Sequence, residues 1–445
     1  MSYANDAIFQ TVQQIRTPLA VQEVFSKAWR QWAGKKPQEV RIEPGQTNYK
    51  PFRRARVMAK AFVLPANDQP EVKLNLFFHV FTGADAARKE IRSKIRHAKD
   101  LLPCDGPPVF LVPQWRTVVW TLPNAPKLRK LFHLMDAKKF RLLTANTTSE
   151  PLIGHDSPPK LLRYVPRKRA ILTWQHPDTF CRYYAKIFNK KDGSRAARNF
   201  KQIDEAHNRG ELVFAVPRIV SYNPTCRTLL MTEVKGRPFT ELMHRPLPGH
   251  FARLGPILAN LHSSYVQPER TWTPNKELGV LTWHMQDFKI AVPRLSEQLD
   301  AVIARLYTVS ERLAFMQNAP IHGNLFGDQI LYSSDGIGIV DWDSLSMGDP
   351  LYDVGRLIAH LIYIAGREGI SPTTVSACAE VLFRSYEEQA TQSIDPECLS
   401  WHVATQLLLR GKISSLRKLP EEWQEHLAFV ITEAEHVLDG RSRFL

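Results

Sequence analysis

The sequence has little cysteine and no long apolar run. Its five cysteines are scattered over 445 residues without a C-x-x-C pair, so neither a disulfide framework nor a zinc ribbon is indicated. No stretch approaches the roughly 18 consecutive apolar residues that a membrane helix needs. The first ten residues show no basic segment followed by an apolar core, so no secretory signal is expected. These absences predict a chain that works in a reducing cytoplasm without a membrane span.

Several motifs of large protein classes are also absent. The sequence contains no Walker-type G-x-x-x-x-G-K, no Rossmann G-x-G-x-x-G and no H-E-x-x-H. It also lacks zinc-finger spacing, an RNA-binding aromatic signature and a basic zipper. Nucleic-acid binding is therefore a weak interpretation that rests on charge alone.

The positive charge is concentrated at one end of the chain. Residues 1–165 contain 27 lysines and arginines against 13 acidic residues, which accounts for nearly all of the net charge of +15. This asymmetry predicts two units of different character. The basic N-terminal unit could bind an acidic partner or an anionic ligand, or it could simply present a solvated basic surface.

The order of predicted elements indicates two α+β parts followed by a helical part. Apolar residues recur at helical spacing over about the first 40 residues, and alternating strands follow over 56–64 and 72–81. A polar stretch over 144–159 is the best linker candidate. Strands and one helix then give way to a mostly helical segment, which predicts a small β-rich lobe joined to a larger helical lobe. The expected domains are 1–155, 160–235 and 236–445.

Two short basic segments, 49–55 and 164–170, resemble each other. Each is followed by strands, then by an aromatic-rich strand (77–81 and 184–188), and then by a helix that carries Ala-Ala-Arg. This pattern is that of a duplicated αβ unit that has since diverged. Chance similarity of two basic turns is the alternative.

The segment from Ile321 to Asp353 is the most informative part of the chain. Short apolar strands at 330–332 and 338–340 flank a Ser-Ser-Asp-Gly turn, which predicts a β-hairpin. A hairpin would bring Gln329 and Asp341 side by side. An amide oxygen beside a carboxylate suits Mg²⁺, which also takes ligands from nucleotide phosphates. The preceding loop is expected to point Asn324 and Asp328 toward the same place.

This segment resembles the catalytic and metal loops of the aminoglycoside-phosphotransferase/choline-kinase group, which is related to the protein kinases. The positions that match are His322, Gly323, Gln329, Asp341, Trp342, Gly348, Asp349, Pro350 and Asp353. Bacterial sugar phosphotransferases of the maltokinase type, which carry an extra N-terminal domain, look most similar. The resemblance implies a bilobal, protein-kinase-like α+β fold preceded by a smaller α+β domain. It also implies transfer of phosphate from ATP, with Mg²⁺, to a hydroxyl group of a sugar-like or aminocyclitol metabolite.

The small lobe contains positions to which the resemblance assigns nucleotide contacts. Lys186 would contact the α- and β-phosphates of ATP, although a surface lysine with a buried stem would give the same pattern. Glu205 is the expected acidic partner on the next helix, with Asp204 as the neighbouring choice. The backbone of Glu233 and Val234 would meet the adenine edge at the hinge.

Asn324 is the main departure from the family pattern, which has an aspartate at this position. That aspartate accepts the proton of the attacking hydroxyl, and an amide has no useful basicity. Three interpretations stay open. The chain is a slow or rerouted kinase that uses Asp328 or Asp343, a nucleotide-binding pseudokinase, or a chain in which an Asp-to-Asn change was introduced to trap a complex.

Two further departures concern the small lobe and its N-terminal counterpart. The glycine-rich loop is missing, and the basic turn 166–169 stands in its place, where it could hold phosphates or be a simple surface turn. His79 occupies the position that corresponds to Lys186, so the N-terminal unit is not expected to bind ATP. Asp349 and Asp353 are expected to brace the catalytic region and not to bind metal. Asp343 is a candidate second ligand or a solvated acid.

Overall fold

The structure is a computed structural model. It describes residues 3–66, 69–95, 101–124, 131–144, 158–165, 168–176, 178–189, 192–313, 315, 318–390 and 394–445. The linker predicted at 144–159 lies almost wholly outside these residues.

Contacts divide the chain into two compact units. The first unit contains residues 1–177, 185–190 and 416–420, and the second contains 178–184, 191–415 and 421–445. The division does not follow the expected domain boundaries near 155 and 235, because the first strands of the expected small lobe group with the N-terminal segment. Those boundaries stay predictions. Among the described residues, no helix is long and apolar enough to cross a membrane.

The N-terminal segment is an α+β arrangement that begins with two helices, within the region predicted to be helical. Its elements are α1 (Ala7–Arg16), α2 (Pro18–Ala33), β1 (Glu39–Lys50), β2 (Arg54–Leu64), β3 (Val72–Val80), α3 (Ala84–Lys94), β4 (Val109–Val112), β5 (Thr117–Thr121), α4 (Leu131–Met135) and α5 (Ala137–Thr144). The five strands form one sheet in the order β1-β2-β3-β5-β4. In β2, every second residue from Ala55 to Val63 is buried, which is the alternation expected of a sheet with one face on the core.

The next segment repeats this arrangement. Its elements are β6 (Lys160–Val165), β7 (Arg169–Gln175), β8 (Arg182–Phe188), α6 (Asp192–Asn208), β9 (Ile219–Asn223) and β10 (Thr228–Thr232). The strands form a second five-stranded sheet in the order β6-β7-β8-β10-β9. In both sheets a helix follows the third strand, and the fourth and fifth strands exchange places in the order. The two sheets therefore share one topology, and the internal duplication itself stays a prediction.

The remainder of the chain is mostly helical and contains short strands around the 320–348 segment. Its elements are β11 (Arg237–Pro238), α7 (Thr240–Met243), α8 (Pro248–Ala252), α9 (Leu254–His262), α10 (Pro274–Ala291), α11 (Ser296–Arg312), β12 (Ala319–Ile321), β13 (Ile330–Ser333), β14 (Gly336–Ile339), β15 (Ser346–Gly348), α12 (Leu351–Glu368), α13 (Pro372–Glu387), α14 (Pro396–Gly411) and α15 (Trp423–Leu438). Every residue of α12 from Leu351 to Ala365 is buried, so this helix forms the centre of the helical core.

A buried carboxylate fixes the turn between β1 and β2. The Asp6 side chain accepts hydrogen bonds from the backbone N–H of Ile8 (2.8 Å), the backbone N–H of Phe52 (2.6 Å) and the Tyr49 hydroxyl (2.6 Å). Phe52 adopts a left-handed conformation with φ of 52°, which a bulky residue rarely takes. The Asp6 hydrogen bonds therefore hold this turn in a geometry that its own residues do not favour.

We expect Asp6→Ala to destabilise the first unit. Three hydrogen bonds to a buried carboxylate would be lost and the Tyr49 hydroxyl would be left without its acceptor, at about 2–4 kcal/mol. The midpoint of thermal unfolding, followed by circular dichroism, should fall by roughly 4–10 °C. Asp85→Ala is the matched control, because Asp85 is exposed and pairs only with the surface residue Arg88 among the contacts described. An equal effect of both variants would contradict the assigned role of Asp6.

Candidate active site

A buried carboxylate also organises the loop that follows β12. Asp353, in the first turn of α12, accepts a hydrogen bond from the backbone N–H of His322 (2.6 Å) and another from that of Gly323 (3.0 Å). The loop is further fixed by the antiparallel pairing of β12 with β15. Asp353 therefore braces the loop from within the helical core, as predicted.

Hydrogen bonds and the charge of His262 keep Asp353 ionised although it is fully buried. Burial alone would raise the pKa of this carboxyl, but the hydrogen bond and charge of His262, together with the hydrogen bond from the backbone N–H of His322, hold the pKa below its usual value. The His262 ring lies 3.5 Å from Asp353 and 3.0 Å from the Tyr386 hydroxyl. This geometry confirms the structural role predicted for His262.

His322 is a neutral packing residue that joins the loop to the following hairpin. Burial lowers its pKa more than the nearby Asp353 raises it. Its Nε2 lies 3.0 Å from the Val340 carbonyl, which can only accept, so Nε2 carries the proton. The ring packs against Trp342 at 4.7 Å between centroids. The loop and the end of the hairpin are therefore held as one piece.

Gly323 is required by its conformation and by its surroundings. Its φ is 72°, and a Cβ atom at this position would lie 2.4 Å from the Ser344 carbonyl oxygen. Any other residue at this position would have to displace the backbone at Ser344. The close approach of the two loops therefore requires a glycine after His322.

The predicted hairpin is present, and its two ends lie next to each other. β13 pairs with β14 with Ile330 opposite Ile339, and the Val340 N–H donates to the Gln329 carbonyl at 2.9 Å. Asp341 comes directly after this pair, is half-buried, and has a left-handed φ of 72°. The Gln329 side-chain oxygen accepts from the Phe326 N–H at 2.8 Å, which occupies one of its two lone pairs.

Asn324 lies in the loop with its oxygen bound to a buried arginine. Arg356 donates to the Asn324 Oδ1 at 3.0 Å, and it also donates to the Tyr352 hydroxyl (2.8 Å) and the Gln406 Oε1 (2.7 Å). Gln406 in turn donates to Glu277 at 3.0 Å. Because a guanidinium can only donate, the Asn324 amide must present its oxygen to Arg356 and its NH₂ elsewhere. This side chain therefore offers a donor and not a base.

Asp328 and Asp343, the two acids that could replace the missing aspartate at position 324, are placed differently. Asp328 is exposed, and its Oδ1 accepts from the Thr240 hydroxyl at 2.7 Å. Asp343 is half-buried, and its backbone carbonyl lies 3.5 Å from the Asn199 Nδ2. The Asp328 carboxylate is thus bound to α7 through Thr240.

Arg356 and Asn199 were not among the predicted site residues. Arg356 is a charged residue in the long, mainly apolar stretch of α12 that is buried from Leu351 to Ala365, which is the pattern that could have indicated its role. Asn199 lies on the buried face of α6 and also donates to the Trp342 carbonyl at 3.1 Å. No sequence pattern distinguishes it from other polar residues of that helix.

The predicted nucleotide-contacting residues are distributed over both units. Lys186 is buried on β8 in the first unit, with its Nζ 5.6 Å from the centroid of the Phe188 ring. Gln329 and Asp341 belong to the second unit, so the convergence of these three side chains stays a prediction. On α6, Glu205 is exposed and lies 3.6 Å from the Lys201 Nζ.

The hinge segment has defined local partners, and so does Asp204, the alternative to Glu205. The Glu233 backbone N–H donates to the Arg182 carbonyl at 3.0 Å, and the Glu233 carboxylate lies 3.2 Å from both the Arg182 guanidinium and the Tyr184 hydroxyl. The Val234 side chain packs against Gly338 of the hairpin. Asp204 accepts from the Ile219 N–H at 3.0 Å, which places it at the start of β9.

The oxygens at the end of the hairpin fit a hard divalent cation. Within the described ranges, no three or more His, Cys, Asp or Glu side chains are grouped so that they could hold a metal ion on their own. The Asp341 carboxylate and the second lone pair of the Gln329 oxygen are of the kind that Mg²⁺ binds, and Mg²⁺ commonly takes only one or two protein ligands besides phosphate oxygens and water.

Comparison with known proteins identifies the family. Residues 167–396, more than half of the chain, match the phosphotransferase enzyme family APH, and the chain belongs to this family. No curated protein sequence matches the chain.

The fold of the chain is that of a solved choline kinase, and other solved structures are similar to it. The choline kinase of Cryptosporidium parvum is 11% identical, with a TM-score of 0.51 over 68% of this chain and 96% of that chain. A choline/ethanolamine kinase family protein of Mesorhizobium loti is 16% identical, with a TM-score of 0.48 over 67% and 95%. LicA, solved in complex with AMP, is 15% identical, with a TM-score of 0.42 over 68% and 98%. The protein-kinase-like α+β fold predicted from the sequence is confirmed.

We expect Asp353→Asn to destabilise the second unit by about 2–4 kcal/mol, because an amide cannot accept from both backbone N–H groups as a carboxylate does. The effect should depend on pH. The lowered pKa of Asp353 means that its stabilising contribution is complete above the unfolded pKa of about 4 and is lost as the pH falls through the folded pKa. The difference in melting temperature between wild type and variant should therefore shrink below pH about 4.

Asp335→Asn is the matched control, since Asp335 lies exposed in the hairpin turn. A difference between wild type and Asp353→Asn that stays constant at low pH would contradict the ionised state assigned to Asp353.

Proposed function

We propose that this protein is an ATP- and Mg²⁺-dependent phosphotransferase that acts on a hydroxyl group of a small sugar-like or aminocyclitol metabolite. One observation supports the proposal above all: the buried Asp353 holds the His322-Gly323 turn, and His322 ties that turn to the hairpin end at Val340. This framework would position the catalytic groups, of which Asn324 differs from the family pattern.

Each group has an assigned task in this proposal. Lys186 would bind the phosphates of ATP, and the backbone at Glu233 and Val234 would meet the adenine. Asp341 and Gln329 would hold Mg²⁺, which supplies positive charge to the phosphoryl group during transfer. Glu205, whose carboxylate is exposed and lies beside Lys201 on the same helix, would be the acidic partner of Lys186.

Asn324 would orient the acceptor without taking its proton. Its NH₂ group can donate to the oxygen of the acceptor hydroxyl, while Arg356 holds its carbonyl. Phosphoryl transfer passes through a loose transition state, so positioning and electrostatic stabilisation supply most of the rate enhancement. The proton would leave to solvent or to Asp343, and we expect turnover to be slow.

Of these acceptors we favour a neutral or anionic sugar-like one over an aminocyclitol, whose amino groups carry positive charge. The chain beyond residue 165 is nearly neutral, so its net charge gives no acidic signature for a polycation such as an aminoglycoside.

A second candidate function is a catalytically impaired, nucleotide-binding regulatory protein. The observation that favours it is the same Asn324–Arg356 hydrogen bond at 3.0 Å, because it directs a donor to the place where the family has a base.

Asn324→Asp separates the two candidates. A carboxylate would keep the Arg356 contact through one oxygen and offer the other as a base, so we expect turnover to rise by about 10²–10⁴ if a general base is what limits the rate. ADP release in the presence of a panel of sugars and aminocyclitols measures turnover, and calorimetry measures Mg-ATP binding. Turnover by the unchanged chain would exclude the regulatory candidate, whereas turnover by Asn324→Asp alone would support it. Absence of Mg-ATP binding in both would contradict both candidates.

Lys186→Met tests the nucleotide site separately. Loss of the buried ammonium group should weaken Mg-ATP binding about tenfold or more, because its contacts to phosphate are charge-assisted. Lys201→Met is the matched control, since Lys201 is exposed on α6 and should leave the dissociation constant within about twofold. Equal affinities of the two variants would contradict the role of Lys186.

A further inference from the structure

Three arginines of α12 and α14 share two aromatic rings. The guanidinium carbons of Arg356 and Arg410 lie 4.3 Å and 4.5 Å from the centroid of the Phe326 ring. Those of Arg410 and Arg367 lie 5.5 Å and 5.9 Å from the centroid of the Tyr363 ring. We call Arg356, Arg410 and Arg367 the arginine row.

The arginine row begins at Asn324 and ends at the surface. Arg356 is buried and donates to the Asn324 Oδ1 at 3.0 Å, Arg410 is half-buried, and Arg367 is exposed. All of these residues belong to the second unit. Positive charge therefore leads from solvent to the side chain that would orient the acceptor hydroxyl.

The innermost member of the row donates to neutral groups. Arg356 contacts three oxygens, which are those of Tyr352, Gln406 and Asn324. Its Nε is buried and has no acceptor among the described residues. The Glu277 carboxylate meets this network only through Gln406, at 3.0 Å, and the Tyr352 hydroxyl, at 3.5 Å. The Arg356 charge is thus placed beside Asn324 without a carboxylate in direct contact.

Arg410 has more donors than acceptors. Within the described part of the chain its Nε is buried without an acceptor, and its Nη1 has no hydrogen-bond partner. Its Nη2 lies 2.5 Å from the His360 Nε2. The Gly327 N–H donates to the His360 Nδ1 at 3.2 Å, and an imidazole that accepts at Nδ1 carries its proton on Nε2. His360 therefore cannot accept from Arg410, and the guanidinium needs an acceptor that the described residues do not supply.

The positive charge of Arg410 is also unfavourable in the ligand-free protein. Burial lowers the pKa of Arg410 to about 10, against the opposing effects of Tyr363 and Asp328. The charges of Arg356 and Arg367 add to the lowering. A bound anion would offset both the loss of hydration and the repulsion within the row.

Arg410 is held in place before any ligand binds. Its guanidinium contacts the rings of Phe326 and Tyr363, and the Tyr363 hydroxyl lies 2.9 Å from the Ser415 Oγ. Phe326 follows Asn324 by two residues in the same loop, so the guanidinium and the Asn324 amide are parts of one site. A cation that is already positioned loses little conformational freedom on binding.

We propose that Arg410, supported by Arg356 and Arg367, binds an anionic group of the acceptor, so that the hydroxyl group phosphorylated is that of a sugar phosphate or a sugar acid. Phosphate and carboxylate both present pairs of oxygens that match the guanidinium fork. The same charges would repel the amino groups of an aminocyclitol. This inference rests on the proposed phosphotransferase function, because it names the class of acceptor within it.

Calorimetric titration of the full chain without nucleotide tests the acceptor class. The probes are glucose, glucose 6-phosphate, glucuronate, glucosamine and inorganic phosphate at constant ionic strength. We expect at least one of the two anionic sugars to bind about tenfold or more tightly than glucose, glucosamine and inorganic phosphate. The comparison of glucose 6-phosphate with glucuronate decides whether the anionic group is a phosphate or a carboxylate.

Variants of Arg410 assign the binding to this side chain. Arg410→Gln should weaken binding of the anionic sugar about tenfold or more and leave that of glucose within about twofold. Arg410→Lys keeps the charge but not the fork, so its loss should be intermediate. Arg384→Gln is the matched control, because Arg384 is exposed on α13 and pairs with Glu380 at 2.5 Å, and it should change the dissociation constants less than about twofold.

The melting temperature of Arg410→Met separates a binding role from a structural one. Methionine can keep the contacts with the two rings while it removes a charge that has no carboxylate partner, so the ligand-free variant should melt at or above the wild type. The anionic sugar should raise the melting temperature of the wild type and not that of the variant. A lower melting temperature of ligand-free Arg410→Met together with unchanged binding of the anionic sugar would make Arg410 a structural residue and overturn the proposal.

Three further results would overturn it. The first is that neither anionic sugar binds more tightly than glucose, and the second is an equal loss in Arg410→Gln and Arg384→Gln. The third is binding of inorganic phosphate as tight as that of the anionic sugars, which would indicate attraction of any anion. Because Mg-ATP is titrated separately, Mg-ATP binding combined with any of these results overturns this inference alone. Absence of Mg-ATP binding overturns the proposed function, and this inference with it.

Discussion

The buried Asp353 carboxylate is the interaction on which the candidate active site depends. It holds two consecutive backbone N–H groups of the His322-Gly323 turn, and His262 keeps it charged. An uncompensated charge at this depth would be strongly destabilising, so the carboxylate, the turn and the histidine are stable only as a set.

The same framework makes the Asn324 substitution informative. Arg356 is fixed by Tyr352 and Gln406 inside the helical core and takes the Asn324 oxygen as a further acceptor. The amide orientation follows from this contact. The site therefore combines an intact support with an altered chemical group, which is consistent either with slow phosphoryl transfer or with nucleotide binding alone.

Much of the fold could be predicted from local patterns, and some of the site could not. The hairpin at 330–339 followed from its turn chemistry, and the bracing role of Asp353 followed from the family resemblance. The engagement of the Gln329 oxygen by Phe326 and the contact between Asn324 and Arg356 depend on tertiary packing, which no spacing encodes. The grouping of β6 and β7 with the N-terminal unit could not be predicted from the sequence either, because it depends on which strands pack together.

The central claim is that the hairpin end at Gln329 and Asp341 binds the metal of a metal–nucleotide complex. The most direct measurement is a crystal structure with Mn²⁺ and a non-hydrolysable ATP analogue, in which anomalous scattering locates the metal. The account predicts a Mn²⁺ peak bound to the Asp341 carboxylate and to phosphate oxygens, with the Lys186 ammonium group on the same phosphates. A nucleotide bound elsewhere, or a metal with no contact to Asp341, would contradict it.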